Sequence, residues 1–166
     1  MHFKVAVIIG NEADETIMNE AIKVLDEYGV QHQLIQVNHA NIGNELENLY
    51  TNDVRVIIAG TRDNPNFSNN VAALVTLPVI GVPCKSLQEA NTVETVFSVL
   101  QQPNDHPVAN VALDAGQNAG ILAVQILALG NAELQKKVIE FKENLKNKIL
   151  KADKEMAEIK FEYRTN

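Results

Sequence analysis

Among the residues of this 166-residue chain that could do chemistry are one thiol, four histidines and a few loop cations. Cys84 closes the segment GVPC after an apolar stretch, and Lys85 follows it. A catalytic thiolate needs a neighbouring base or cation to lower its pKa, and Lys85 would be that cation; the alternative is a packed, inert side chain. His2, His32, His39 and His106 lack metal-ligand spacing, and a lone cysteine adds little to them. The sequence has no GxGxxG, no GxxxxGKS/T and no GxSxG, so dinucleotide, P-loop and nucleophile-elbow readings have no support.

Charge narrows the ligand further. The net charge of −7 divides into −9 over residues 1–130 and +2 over residues 131–166. The body has five cations: Lys4, Lys23, Arg55, Arg62 and Lys85. An acidic body argues against nucleic acid and anionic membranes as partners. With 46% hydrophobic and 21% charged residues, the chain can bury a core and is not disordered. It has no run of about 18 apolar residues to span a bilayer. It opens straight into FKVAVIIG without a leader pattern, and one cysteine suits a reducing compartment. A cytoplasmic location is the expectation.

The elements that would position these residues alternate. Apolar runs at 3–9, 31–37, 54–59, 78–82 and 108–113 read as strands, the first and third ending at Gly10 and Gly60. Helical spacing fills the segments between: Met18, Ala21, Ile22, Leu25 and Tyr28, then 43–51, 67–76, 92–101 and a helix from about Gly116 through Leu127. Asp14 suits the N-cap of the first helix and Gly29 its C′ position. Five strand–helix units predict an α/β fold with a five-stranded parallel sheet and helices on both faces. Ligands on such folds bind beyond the carboxyl ends of the strands, which selects loops 10–14, 37–42, 60–70, 82–92 and 113–118. Of the body cations, Arg62 and Lys85 fall in these loops. The asparagines at 64, 66, 69 and 70 read as loop chemistry. Leu134, Val138, Phe141, Leu145, Ile149, Ala152, Met156 and Ile159 then repeat at near-heptad spacing. That predicts a long C-terminal helix over 131–166 whose stripe exceeds what a small sheet can cover and packs on a neighbouring subunit. Residues 1–130 and this helix form one domain.

Four segments, VAVIIGNEADETIM at 5–18, RVIIAG at 55–60, LPVIGVP at 77–83 and FSVLQQPNDHPVANVALDAGQNAGILAVQIL at 97–127, together resemble the N5-carboxyaminoimidazole ribonucleotide mutase (PurE-type) family of purine biosynthesis. The last segment carries the most specific pattern. The resemblance implies a flavodoxin-like three-layer fold, a homo-octamer with sites at subunit junctions, and a C-terminal helix reaching a neighbour. It implies transfer of a carboxylate from nitrogen to carbon C4 of an aminoimidazole ribonucleotide, with bound carbon dioxide between and no cofactor. It places Gly10, Asn11 and Asp14 in the first ligand loop, with Asp14 on the ribose hydroxyls. His39 matches the proton-handling histidine, a residue type suited to acid–base work near neutral pH. Gly60, Arg62 and Asn66 fall in the third loop, and Asn118 begins the NAG of the helix after the fifth strand.

Other family positions carry different residues here: Asn11 and Ala13 for the first-loop serines, Val37 and Ala40 for the second loop's serine and phosphate-clamping arginine, and Asn66 for a second histidine. A lost phosphate arginine forfeits charge-assisted hydrogen bonds of about 1.5–3 kcal/mol each. Two functions therefore stand side by side: a mutase of this family, or a paralogue that keeps the scaffold and binds a less anionic, carboxylated small molecule. A third is another carboxylation or decarboxylation in which Arg62 meets the carboxylate. Arg62 is otherwise a partner for Asp63 or a solvated charge, and Asp14 otherwise a helix cap. His39 is otherwise an ordinary loop residue, Asn66 a turn residue, and Asn118 a cap or junction residue.

Overall fold

A computed structural model describes residues 4–37, 42–51, 53–62, 64, 66–85 and 105–158. Its strands are β1 (Lys4–Ile9), β2 (Gln31–Gln36), β3 (Val54–Gly60), β4 (Val79–Gly81) and β5 (Ala109–Asn110). The described helices are α1 (Glu15–Glu27), α2 (Ile42–Thr51), α3 (Phe67–Leu74), α4 (Gly116–Ala128) and α5 (Ala132–Glu158). The helix expected over 92–101 lies outside the described residues.

The apolar runs of β1 and β3 take the middle of the sheet because both their faces are covered. Val5, Val7, Ile9, Val56 and Ile58 pack under α1 and α4. Ala6, Ile8, Ile57 and Ala59 pack under α2 and α3. Alternate side chains thus feed two cores, as the period of a strand requires. Every strand pair is parallel, and the order is β2-β1-β3-β4-β5. This is the flavodoxin-like order, whose direction of winding reverses between β1 and β3. The run at 108–113 pairs over two residues alone, Ala109 opposite Ile80 and Asn110 opposite Gly81. Its partner β4 is three residues long, so the ladder has nothing further to extend along.

Helix α1 ends at Gly29, whose φ of +69° is the left-handed C′ conformation. Its side face meets α4 at very short range. A Cβ on Gly120 would stand 2.8 Å from the Ala21 carbonyl oxygen and 2.9 Å from Val24 Cβ, and one on Gly116 would run into the Ile17 carbonyl. The glycines of α4 are what let two helix backbones touch.

Helix α5 begins at Asn131, whose side-chain oxygen accepts from the Glu133 and Leu134 backbone N–H groups at 3.0 and 3.1 Å. Leu134 is buried and Val138 and Phe141 half-buried on the body. Phe141 meets Tyr28 edge-to-face, with ring centroids 6.3 Å apart, and Lys137 Nζ donates to the Tyr28 carbonyl at 3.2 Å. A helix of 27 residues is about 40 Å long, and past Phe141 its large apolar residues Leu145, Ile149, Leu150 and Met156 are exposed. None of the described helices is long and apolar enough to cross a membrane.

In a free helix, replacing glycine by alanine is favourable by about 1 kcal/mol. At Gly120 the sign should reverse, since overpacking costs about 1–3 kcal/mol. Urea unfolding of Gly120→Ala is expected to show a lower midpoint than the parent; an unchanged or higher midpoint would refute the close α1–α4 contact.

Candidate functional site

The register of β1 against β3 sets Ile9 opposite Gly60. The two strands therefore release their following loops side by side, at the point where the winding reverses. After β1 the chain makes one 3-10 turn over Glu12–Asp14, capped by Asn11, whose side-chain oxygen accepts from Ala13 N at 2.9 Å. After β3 it passes Thr61 and bends at Arg62.

These loops meet through an ion pair. Arg62 Nε donates to Asp14 Oδ1 at 2.8 Å, and the Arg62 backbone N–H reaches the same oxygen at 3.2 Å. Arg62 Nη2 donates to the Ala13 carbonyl at 2.7 Å. The Asp14 side chain is 0% exposed and that of Arg62 14%. Asp14 Oδ2 is buried and has no hydrogen-bond partner among the described residues. Asp14 sits at the N-cap position of α1 but makes no capping bond; the expected cap gives way to a partner 48 residues along the chain. Breaking such a buried pair from one side typically costs about 3–5 kcal/mol, because the other charge is left uncompensated.

Glycines let these loops close. A Cβ on Gly10 would come within 2.9 Å of Thr61 Oγ1, and one on Gly60 within 2.5 Å of both Met18 Cε and the Val82 carbonyl. Gly10 and Gly60 thus bring the two loops and the chain just after β4 together. His39 lies outside the described residues. Asn66 is exposed, its backbone N–H bound to Asn64 Oδ1 at 2.9 Å. Asn118 is exposed in the first turn of α4. Loop chemistry describes Asn64 but not Asn69: the first turn of α3 faces the sheet, Asn69 is 7% exposed, and its Oδ1 has no partner. Asn110 Oδ1, at the end of β5, is likewise buried without one.

Cys84 is 0% exposed and its Sγ donates to the Val82 carbonyl at 3.4 Å. Burial pushes its thiol up to about 12, the Asp14 and Asp114 carboxylates push the same way, and Arg62 opposes them. Lys85 is exposed, and its backbone N–H is held by Asp114 Oδ1 at 2.8 Å. The packing alternative holds for Cys84. Asp114, whose φ is +55° and whose N–H also donates to the Pro83 carbonyl at 2.8 Å, fixes the loop after β4. A lone aspartate after a strand gave no sequence signal of that role. Elsewhere in the body Lys23 pairs with Glu20 at 2.5 Å and Arg55 with Asp53 at 2.7 Å. Among the described residues, no group of three histidine, cysteine or carboxylate side chains could hold a metal.

A family model described as AIR carboxylase matches residues 4–148. An N5-carboxyaminoimidazole ribonucleotide mutase of Thermotoga maritima is 33% identical over 160 residues, covering 94% of this chain and 93% of that protein. One of Methanocaldococcus jannaschii is 36% identical over 159 residues, covering 93% and 98%. The crystal structure of PurE from Treponema denticola superposes with a TM-score of 0.81 at 21% identity, covering 92% and 98%, and so shares the fold.

The state of Cys84 gives a direct check. Burial pushes the thiol up from 9.0, its ordinary value, to about 12. The stability supplied by burying the neutral thiol is therefore full below pH 9 and is lost as the pH rises towards 12. At pH 8 the native protein is expected to resist a disulfide thiol reagent that labels the urea-unfolded chain at once. Prompt labelling of the native protein would contradict the buried, neutral thiol.

Proposed function

The chain belongs to the AIR carboxylase family, and on that premise we propose that it acts as an N5-carboxyaminoimidazole ribonucleotide mutase in purine biosynthesis. The observation that carries this reading is end-to-end similarity above 30% identity to proteins of that name. In this reaction the N–carboxylate bond breaks to give carbon dioxide, C4 attacks it, and a base takes the C4 proton while the nitrogen regains one. In the proposed site Gly10, Asn11 and Asp14 form the wall after β1, and Gly60, Arg62 and Asn66 the wall after β3. Asp14 receives ligand hydroxyls, His39 moves the proton, and Asn118 closes the edge from α4. No cofactor enters the reaction, and the reading carries with it a cytoplasmic location.

A second reading is favoured by one observation: the Asp14 carboxylate is sealed beneath Arg62. A paralogue of the family that binds a less anionic, carboxylated small molecule would tolerate that pairing. Incubating the protein with N5-carboxyaminoimidazole ribonucleotide and following carboxylation at C4 separates the two. Turnover is expected, with His39→Ala slowing it by about 10²–10⁴, the usual range for a general acid–base. No turnover in the parent protein would overturn the mutase reading in favour of the second.

The same proposal makes the protein a homo-oligomer, an octamer, with α5 packed on a neighbouring subunit. The exposure of the large apolar side chains Leu145, Ile149, Leu150 and Met156 on one helix supports it, since large exposed apolar patches mark interaction sites. Light scattering is expected to give the mass of eight chains, and Ile149→Glu a smaller species. A monomeric parent protein would refute it.

A further inference from the structure

The Arg62–Asp14 pair is the ion pair most withdrawn from solvent among the described residues. Its geometry is lopsided. Oδ1 accepts two N–H groups from residue 62, while Oδ2 is buried and accepts none among the described residues. An unpaired buried acceptor is costly, more so when charged, so the fold holds in this crevice an acceptor that a ligand donor would relieve. The carboxylate is fully covered, so a ligand reaches it after a group in contact with it moves. Arg62 is such a group, and it lies on a bend outside regular structure.

We propose that Arg62 is a specificity-determining residue that competes with ligand hydroxyls for the Asp14 carboxylate. The proposal rests on the reading that this crevice is the ligand site. A vicinal diol gripping a carboxylate from both sides uses both oxygens, and here one is already taken. A ribose-bearing ligand must displace Nε from Oδ1 or bind through a single hydroxyl on Oδ2. The pair is also neutral as a whole, so Arg62 brings little net positive charge to a phosphate. Arg62 thereby lowers the affinity of this site for the ribose diol of a ribonucleotide and sets how strongly the site depends on it.

The test measures binding of aminoimidazole ribonucleotide and of its 2′,3′-dideoxy counterpart by calorimetry. The proteins compared are the parent, Arg62→Gly, Arg62→Gln, and each of these with Asp14→Asn. Arg62→Gly is expected to bind the ribonucleotide about tenfold more tightly or better, the factor that one charge-assisted hydrogen bond represents. The dideoxy compound should gain nothing, and Asp14→Asn should cancel the gain. Arg62→Gln, which keeps a neutral donor for Oδ1, should fall between; it carries the test if Arg62→Gly loses its melting transition. Weaker or unchanged ribonucleotide binding in the Arg62 variants would overturn the proposal. So would an equal gain for the dideoxy compound or a gain indifferent to Asp14→Asn. Failure of the mutase reading shows separately, as no carboxylation at C4 by the parent protein.

Discussion

The parallel register of β1 on β3 is the constraint on which the site depends. With Ile9 opposite Gly60, the chain must leave both strands at the same height. The side chains just beyond them, Asp14 and Arg62, are then neighbours although 48 residues apart. The register is firm because both strands are buried on both faces. A slip of one residue would exchange the sets packed under α1 and α4 with those packed under α2 and α3. Gly60 completes the constraint from below, since any side chain there would collide with the backbone of Val82, just after β4.

One buried charge then organises what surrounds it. Asp14 holds Arg62 across the crevice, and it and Asp114 add to the burial that keeps the Cys84 thiol protonated. A thiol beside a cation can be a nucleophile, but the cation nearest in sequence, Lys85, is exposed, and burial with the Asp14 and Asp114 carboxylates outweighs Arg62 at the thiol. The same residue types that suggested activated chemistry are thus a packed thiol and an exposed lysine. The glycines Gly116 and Gly120 bring α4 onto α1, and α1 carries Asp14 at its start.

The parts of the fold that were legible in the sequence are those fixed by local pattern. The runs of β1 and β3 are apolar without interruption because both faces are covered, and the 3.6 spacing of α1 and α4 follows from one-sided burial. The extent of β5 was not legible, because it is set by the short strand beside it and not by the apolar content of 108–113. In the site, Gly10, Asp14, Gly60 and Arg62 were each singled out from the sequence. The bond between Asp14 and Arg62 was not, since a local reading gives Asp14 the shortest-range partner available, the N-terminus of its own helix. Asn69 was hidden for a similar reason: asparagine in an asparagine-rich loop looks like turn chemistry, and its burial follows from which way α3 faces the sheet.

The charge division gains a structural meaning from these pairings. Of the five cations in the body, Lys23, Arg55 and Arg62 are engaged with Glu20, Asp53 and Asp14. Lys4 begins β1, at the opposite end of the strand from the crevice. Lys85 is then the described cation at the carboxyl edge without an acidic side-chain partner among the described residues. One exposed lysine is a weak, solvent-screened holder of a dianion. A phosphate bound at this crevice needs positive charge from elsewhere, and the +2 segment of residues 131–166 is where the chain keeps it. Past Phe141, residues 142–156 of that segment are exposed. In the proposed assembly the cations for one crevice would come from another subunit, and subunit contact would then be a condition for holding the ligand as well as for covering the apolar stripe.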